Sequence, residues 1–92
     1  MDLNINVRNL KAQTAATGTN WTAWASQTCR GMRVHNPNAV DLDVRRNGSG
    51  DEITIPAYGV RTFLGLMNAN QLSVRRTDTS NTQVYAQAEL YA

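Results

Sequence analysis

Residues 40–46 read VDLDVRR, and thirty residues later residues 70–76 read NQLSVRR. In the first stretch Val40, Leu42 and Val44 occupy every second position, and the second stretch follows the same pattern. Strict alternation is typical of a half-buried antiparallel strand with one face in the core and the other in solvent. The chain therefore uses two of its few hydrophobic strands on nearly the same phrase, and each phrase ends in a pair of arginines.

The same period of two runs through most of the chain. It recurs in residues 3–7, 53–55 and 84–91. We interpret the last of these as a strand, although its Ala, Gln, Glu and Leu content also suits a helix. Turn residues separate the runs at 36–38 and at 47–50, where Asn-Gly-Ser-Gly between two alternating runs predicts a β-hairpin.

The remaining segments complete the fold prediction. Residues 19–36 have room for two further strands, and the small polar residues 11–18 are expected to form a loop. About eight short strands without a convincing helix predict an all-β fold: a small antiparallel β-sandwich, jelly-roll-like or immunoglobulin-like, or a small barrel. At 92 residues and 10.2 kDa, we expect residues 1–92 to be a single domain.

The repeated phrase has two explanations. Asn-Ala precedes each copy, and each copy is followed by a small polar turn and another alternating run. Each unit is therefore expected to be a β-hairpin. Either two equivalent strands of a sandwich meet similar demands, or the chain contains an internal duplication; two copies are too few for a solenoid.

Composition indicates association with other protein chains. The net charge of +2 is too small to predict a nucleic-acid partner. Eight of the nine basic residues are arginine, which is enriched at protein interfaces, where lysine is depleted. No apolar run approaches the roughly 20 residues that cross a membrane, and no targeting segment is visible. We expect a homo-oligomer, or a subunit of a larger assembly, with no nucleic-acid or membrane partner.

No catalytic, metal or cofactor site is predicted. Cys29 and His35 are the single cysteine and histidine; six residues apart on a strand, they are beyond hydrogen-bond reach. We expect Cys29 to be a small buried hydrophobe and His35 a turn residue. Asp41 and Asp43 share one face of a strand, which we interpret as a solvated face rather than a calcium or acid–base site. The chain is therefore not expected to be an enzyme.

Alternation also predicts where the paired arginines point. Because Val44 faces inward, Arg45 points outward and Arg46 returns to the rim of the core, with its stem packed and its head at the edge. Arg75 and Arg76 follow the same pattern. The outward arginines are then free to bind carboxylates of a partner, or to pair with acidic residues of the same chain at little gain.

Four aromatic residues join the four arginines as candidates for a protein interface. Trp21 and Trp24 are three apart, so on a strand they face opposite sides, one in the core and one exposed. An exposed tryptophan can stack on a sugar ring or anchor a protein partner. Tyr85 and Tyr91 lie on the outward face of the last strand, where they either pack on neighbours or contact a partner.

Residues 34–63 carry a resemblance to a known class of proteins. They read VHNPNAVDLDVRR, then a glycine turn, then EITIPAYGVRTF, which resembles small β-rich structural proteins of tailed-phage virions. The resemblance implies a virion structural protein, foremost a capsid decoration (cement) protein that binds the major capsid protein and stabilises the shell. It also allows another head, neck or tail component, with assembly in the host cytoplasm. The alternative is a carbohydrate- or receptor-binding module that uses Trp21 or Trp24.

Overall fold

The computed structural model describes residues 8–48 and 51–92, which are all-β apart from a single 3₁₀ turn at Ala69–Gln71. The described residues form eight strands: β1 (Arg8–Gln13), β2 (Thr22–Ala23), β3 (Gly31–His35), β4 (Leu42–Arg46), β5 (Glu52–Ile55), β6 (Val60–Leu64), β7 (Leu72–Arg76) and β8 (Tyr85–Tyr91).

The strands form two antiparallel four-stranded sheets. Sheet A has the order β1-β8-β3-β6, and sheet B has the order β2-β7-β4-β5. The pairs β1–β8, β2–β7, β3–β6 and β4–β5 follow from folding the chain once, at the turn between β4 and β5. This long antiparallel ribbon, wrapped across two sheets, is the connectivity of a jelly roll. The prediction of a small β-sandwich is confirmed, and the described strands do not close into a barrel.

The alternation in the sequence decides which side chains enter the core. In β8, Ala86, Ala88 and Leu90 are buried, whereas Tyr85 and Tyr91 lie on the outer face of sheet A. A helix would have placed these residues around all its sides, so the strand prediction for this segment is confirmed.

The inward-facing side chains of both sheets form a single hydrophobic cluster. Its fully buried members include Leu42 and Val44 from β4 and Leu72 and Val74 from β7, all with 0% exposure. Burying an aliphatic side chain of this size stabilises the fold by about 1.5–3 kcal/mol. The two repeated strands therefore supply the centre of the core.

The repeated phrase occupies two neighbouring strands. In the β4–β7 pair Val44 lies opposite Val74, and Leu42 lies opposite Arg76, so a local two-fold axis relates the two strands. The expectation that each copy begins a hairpin is wrong for the second copy, because β7 lies in sheet B and β8 in sheet A. Equivalent positions in the middle of one sheet give a structural reason for similar sequences.

The start of the described chain departs from the sequence prediction. Residues 11–18 were expected to form a loop, but residues 11–13 belong to β1 and continue its ladder with β8. Ala12 is buried opposite Ala86, and two small residues facing each other give no strong hydrophobic signal. The strand predicted at residues 3–7 lies outside the described residues.

The hairpin predicted at residues 47–50 is confirmed, because β4 pairs with β5. Asn47 has a φ of 54° and Gly48 a φ of 67°. Both values lie in the left-handed region, which Gly and Asn adopt more readily than other residues.

A buried asparagine links two connections that cross between the sheets, the one from β3 to β4 and the one from β5 to β6. Asn36 is 1% exposed, and its Nδ2 donates to the carbonyl oxygens of Val40 (2.7 Å), Ile55 (3.1 Å) and Pro56 (3.1 Å). Its Oδ1 accepts from the backbone N–H of Asn38 at 3.1 Å. The residue predicted as part of a turn is thus a buried cross-link between two connections.

Candidate protein interface

On the outer face of sheet B, Trp21 packs against two arginines. The residue precedes β2, whose Thr22 lies opposite Val74 of β7, so its side chain shares the outward face with Arg45 and Arg75. The guanidinium carbons of these arginines lie 4.2 Å and 4.5 Å from the centre of the Trp21 ring, within the range of cation–π attraction.

One of these arginines is also held by other parts of its own chain. Arg75 donates to the carbonyl oxygen of Thr19 at 3.0 Å and to Glu52 Oε1 at 3.4 Å. Arg45 has no ion pair among the described residues. Arg75 therefore pairs with an acidic residue of its own chain, Glu52. Contact of either arginine with a partner protein stays a prediction.

The second arginine of each pair lies at the rim of the core, as the alternation predicted. Arg76 is 8% exposed and donates two hydrogen bonds to the carboxylate of Asp78, at 2.9 and 2.7 Å, and a third to the Thr82 carbonyl at 3.0 Å. The guanidinium of Arg76 lowers the pKa of Asp78. Arg46 is exposed, and its guanidinium carbon lies 6.0 Å from the centre of the Phe63 ring.

Two of the polar predictions need correction. Asp43 was expected on a solvated face, but it is 6% exposed and accepts hydrogen bonds from the hydroxyls of Thr54 (2.8 Å) and Thr77 (2.7 Å). The hydroxyls of Thr54 on β5 and of Thr77, which follows β7, thus both donate to Oδ1 of the buried carboxylate. Asp41 is exposed and accepts from a backbone N–H. His35 was expected in a turn, and it is instead the last residue of β3.

Cys29 is 2% exposed within the core, so the prediction of a buried thiol is confirmed. Its burial raises the pKa of the thiol, which favours the unreactive protonated form. His35 instead contacts Glu89 on the outer face of sheet A, with 2.7 Å between Nε2 and Oε1. The structure therefore places the two residues in different environments and does not bring them together as a catalytic pair.

The outer face of sheet A carries the two tyrosine candidates at its two ends. Tyr85 begins β8 and is 49% exposed, and Tyr91 ends the strand and is partly buried. Between them lies a shallow groove of about 380 Å³ next to the His35–Glu89 pair. The sheet A face, defined as the outward side chains of β1, β8, β3 and β6, is thus polar in the middle and aromatic at both ends of β8.

Tyr91 forms an apolar patch with a residue that the sequence reading did not select. A methyl group at Gly31 would lie 3.3 Å from Leu64 Cδ2 and 3.6 Å from a ring carbon of Tyr91, so both side chains lean over this glycine from opposite sides. Leu64 itself is 67% exposed. Glycine at this position leaves the space in which the leucine and the tyrosine converge.

Further large hydrophobic side chains are exposed close to this patch in the sequence. Four of the five that the described residues contain lie on β6 or just outside it: Tyr58 (71%), Val60 (45%), Leu64 (67%) and Met67 (78%). The sequence analysis did not select them because it assigned no faces to residues 58–67. The sequence did offer a signal, because side chains of a strand alternate between its two faces. Val60 and Leu64 therefore lie on the face of the strand opposite to Phe63, which is buried.

Comparison of the chain with models of protein families and with curated proteins gives no match in either case. In the described ranges, no helix is long and apolar enough to cross a membrane. The same ranges contain no group of three His, Cys, Asp or Glu side chains placed to hold a metal ion.

Proposed function

We propose that this chain is a virion structural protein, a capsid decoration protein that binds the major capsid protein and stabilises the shell. The observation that carries the proposal is the group of exposed apolar side chains at one end of sheet A, where Leu64 and Tyr91 flank Gly31. Exposed apolar groups that lie together mark a surface that another protein covers.

The composition of the sheet A face supports a protein partner. Tyrosines at both ends provide large contact areas with one polar atom each, and the middle carries the hydrogen-bonded pair His35–Glu89. Aromatic residues such as tyrosine are enriched at protein interfaces, and they are the feature of this face that supports a protein partner. Jelly rolls are also found among viral capsid domains and lectins, so the fold agrees with the proposal without deciding it.

The alternative, a carbohydrate-binding module that uses a tryptophan, has less support from the geometry. Sugar stacking needs an open ring face, but Trp24 is 1% exposed. Trp21 is partly buried, with two guanidiniums packed against its ring. Neither ring offers the open platform that the alternative requires.

The test is the protein content of purified particles. Virions produced by cells that make this chain are purified on a density gradient and analysed by mass spectrometry. We expect the chain to be present in many copies per shell and to be released by agents that destabilise the particle. Absence from the particle, in an infected cell that makes the protein, would overturn the proposal.

Single substitutions then test whether the sheet A face makes the attachment. Tyr85→Asp places a charge on this face, and Ala23→Asp places the same charge at an exposed position on the outer face of sheet B. Both proteins should fold with the same circular dichroism. The tyrosine variant should lose occupancy on stripped shells, while the alanine variant keeps it. Equal binding of the two variants contradicts attachment through sheet A.

A further inference from the structure

Strand β6 forms one edge of sheet A and has the surface of a strand that pairs with another chain. It lies at the end of the order β1-β8-β3-β6, and no described strand occupies its outer side. An edge strand presents a row of unpaired N–H and C=O groups, and proteins protect such edges with short strands, prolines or charges.

The other three edges have this protection, and β6 has little. Strand β2 is only two residues long. Strand β5 begins with Glu52 and is followed by Pro56, and β1 carries Arg8 and Lys11. Strand β6 reads VRTFL, with Arg61 as its single charge, and its outward Val60 and Leu64 are 45% and 67% exposed.

We propose that β6 pairs with β6 of a second copy of this chain, antiparallel and about a two-fold axis at Thr62. In this register Val60 lies opposite Leu64 of the second copy and Thr62 lies opposite itself. The two four-stranded sheets then become one sheet of eight strands with both sheet A faces on the same side. Pairing of this kind is an isologous interface, in which the same surface serves both subunits.

The sequence of β6 favours this register over its neighbours. Residues directly opposite in an antiparallel pair point to the same side. Both sheet A faces therefore lie on the same side of the joined sheet only if one residue of β6 lies opposite its own copy. An axis at Arg61 would place two like charges opposite each other, which is destabilising. An axis at Phe63 would leave Val60 without a partner. With the axis at Thr62, all five residues pair, and Arg61 lies opposite Phe63 rather than opposite a second arginine.

The partner is a second copy because the complementarity is internal to the strand. The apolar residues Val60 and Leu64 stand at equal distances on either side of Thr62, and the single charge, Arg61, does not lie opposite its own copy. Such symmetry about one position is what a two-fold pairing requires, and an unrelated partner would not need it. Because Val60 and Leu64 stay on the sheet A face, the dimer would satisfy the backbone edge of β6 and bring the apolar patches of the two copies side by side.

Charged substitutions at Thr62 test the proposed dimer in solution. Because no shell is present, the outcome is separate from that of the virion assignment. The native protein should sediment with twice the mass of 10.2 kDa at high concentration. Thr62 is exposed, so Thr62→Lys and Thr62→Glu should fold and remain monomeric, because each places a charge opposite its own copy. An equimolar mixture of the two should recover the dimer. Asn9→Lys, on the opposite edge of sheet A, should leave the native dimer intact.

Cross-linking tests the register directly. Directly opposite residues have Cβ atoms about 4.5–5.5 Å apart, close to the distance that a disulfide needs. Mild oxidation should therefore link two copies of Thr62→Cys and should not link two copies of Asn9→Cys; Cys29 is 2% exposed and does not compete. A native protein that stays monomeric, a Thr62→Lys variant that still dimerises, a charge mixture without dimer, or an unlinked Thr62→Cys variant would each overturn the proposal.

Discussion

The guanidinium carbon of Arg45 lies 4.2 Å from the centre of the Trp21 ring, although β7 separates the strand of the arginine from β2, which follows the tryptophan. Ser73 of β7 lies opposite Arg45 and is 8% exposed. A small residue at this position leaves room for the indole ring above the sheet. Because β2 pairs with β7 through only two residues, this contact adds to the attachment of the edge strand that the buried side chain of Trp24 provides.

The first prediction concerns the free energy of this contact. A double-mutant cycle of Trp21→Ala and Arg45→Ala, measured by urea unfolding, should give a coupling energy of about 0.5–1 kcal/mol. The matched control is a cycle of Trp21→Ala and Arg30→Ala. Arg30 is an exposed arginine whose side chain has no hydrogen bond or ion pair among the described residues. The control cycle should give no coupling, and equal coupling in both cycles would contradict a specific stacking contact.

The second prediction separates the two roles of the repeated strands. Val44→Ala or Val74→Ala should lower the free energy of unfolding by about 1.5–3 kcal/mol, because both side chains are fully buried. Arg45→Ala and Arg75→Ala should each cost about 1 kcal/mol or less. If the arginines also bind the shell, their variants should attach more weakly, with the larger effect at low salt. Arginine variants that unfold early yet attach normally would show that these side chains act only within the chain.

Alternation predicted the fold well because a β-sandwich enforces it on every strand. The segment around Leu42 and Val44 and the segment ending at Tyr91 are strands with the predicted faces. Prediction failed where side chains are small or where the sheets exchange strands. Ala12 gave no signal of a strand, and the local sequence after β7 does not reveal that β8 crosses to the other sheet.

The candidate site was less predictable, since it depends on which strands become neighbours. Alternation placed Arg45 and Arg75 on the outer face, but only the pairing of β4 with β7 brings both to Trp21. The same limit applies to Leu64 and Tyr91, which are 27 positions apart in the sequence and converge because β6 and β8 flank Gly31 of β3. Such contacts follow from topology, which a single sequence does not specify.

The third prediction is a pH dependence that originates at Asp78. Hydrogen bonds from Arg76, and a second contribution from the Ser80 backbone N–H, lower the pKa of this carboxyl below its ordinary value of 3.8. A depressed pKa in the folded state means that the ion pair stabilises the protein above the unfolded-state pKa. This contribution is lost as the pH falls through the lower, folded-state value.

Its measurement compares the native protein with Asp78→Asn by urea unfolding between about pH 6 and pH 2. The native protein should be the more stable at the upper end, and the difference should shrink steadily toward the lower end. In an Arg76→Ala background the same substitution should show a weaker pH dependence, because the principal donor is gone. A difference that stays constant over the whole range would contradict the assignment.

The fourth prediction tests Asn36, the buried cross-link. Asn36→Ala removes the donor of three carbonyl groups and should lower the free energy of unfolding by about 2–4 kcal/mol, since each unsatisfied buried acceptor costs about 1–3 kcal/mol. Asn36→Asp keeps the shape but directs a carboxylate at three carbonyl oxygens, so at neutral pH it should be the more damaging change. Asn70→Ala serves as control, because this residue is exposed and its side chain has no hydrogen bond among the described residues.

Acid should partly rescue the aspartate variant, which makes the test specific. Once protonated, the carboxyl of Asn36→Asp regains one donor and loses its charge, so the melting temperature of this variant should rise relative to Asn36→Ala as the pH falls. This rise is expected of a carboxyl buried among carbonyl oxygens, so it tests the polar surroundings of residue 36 and not only the volume of the side chain. Parallel melting curves for the two variants across the pH range would therefore remove the hydrogen-bonding role assigned to Asn36.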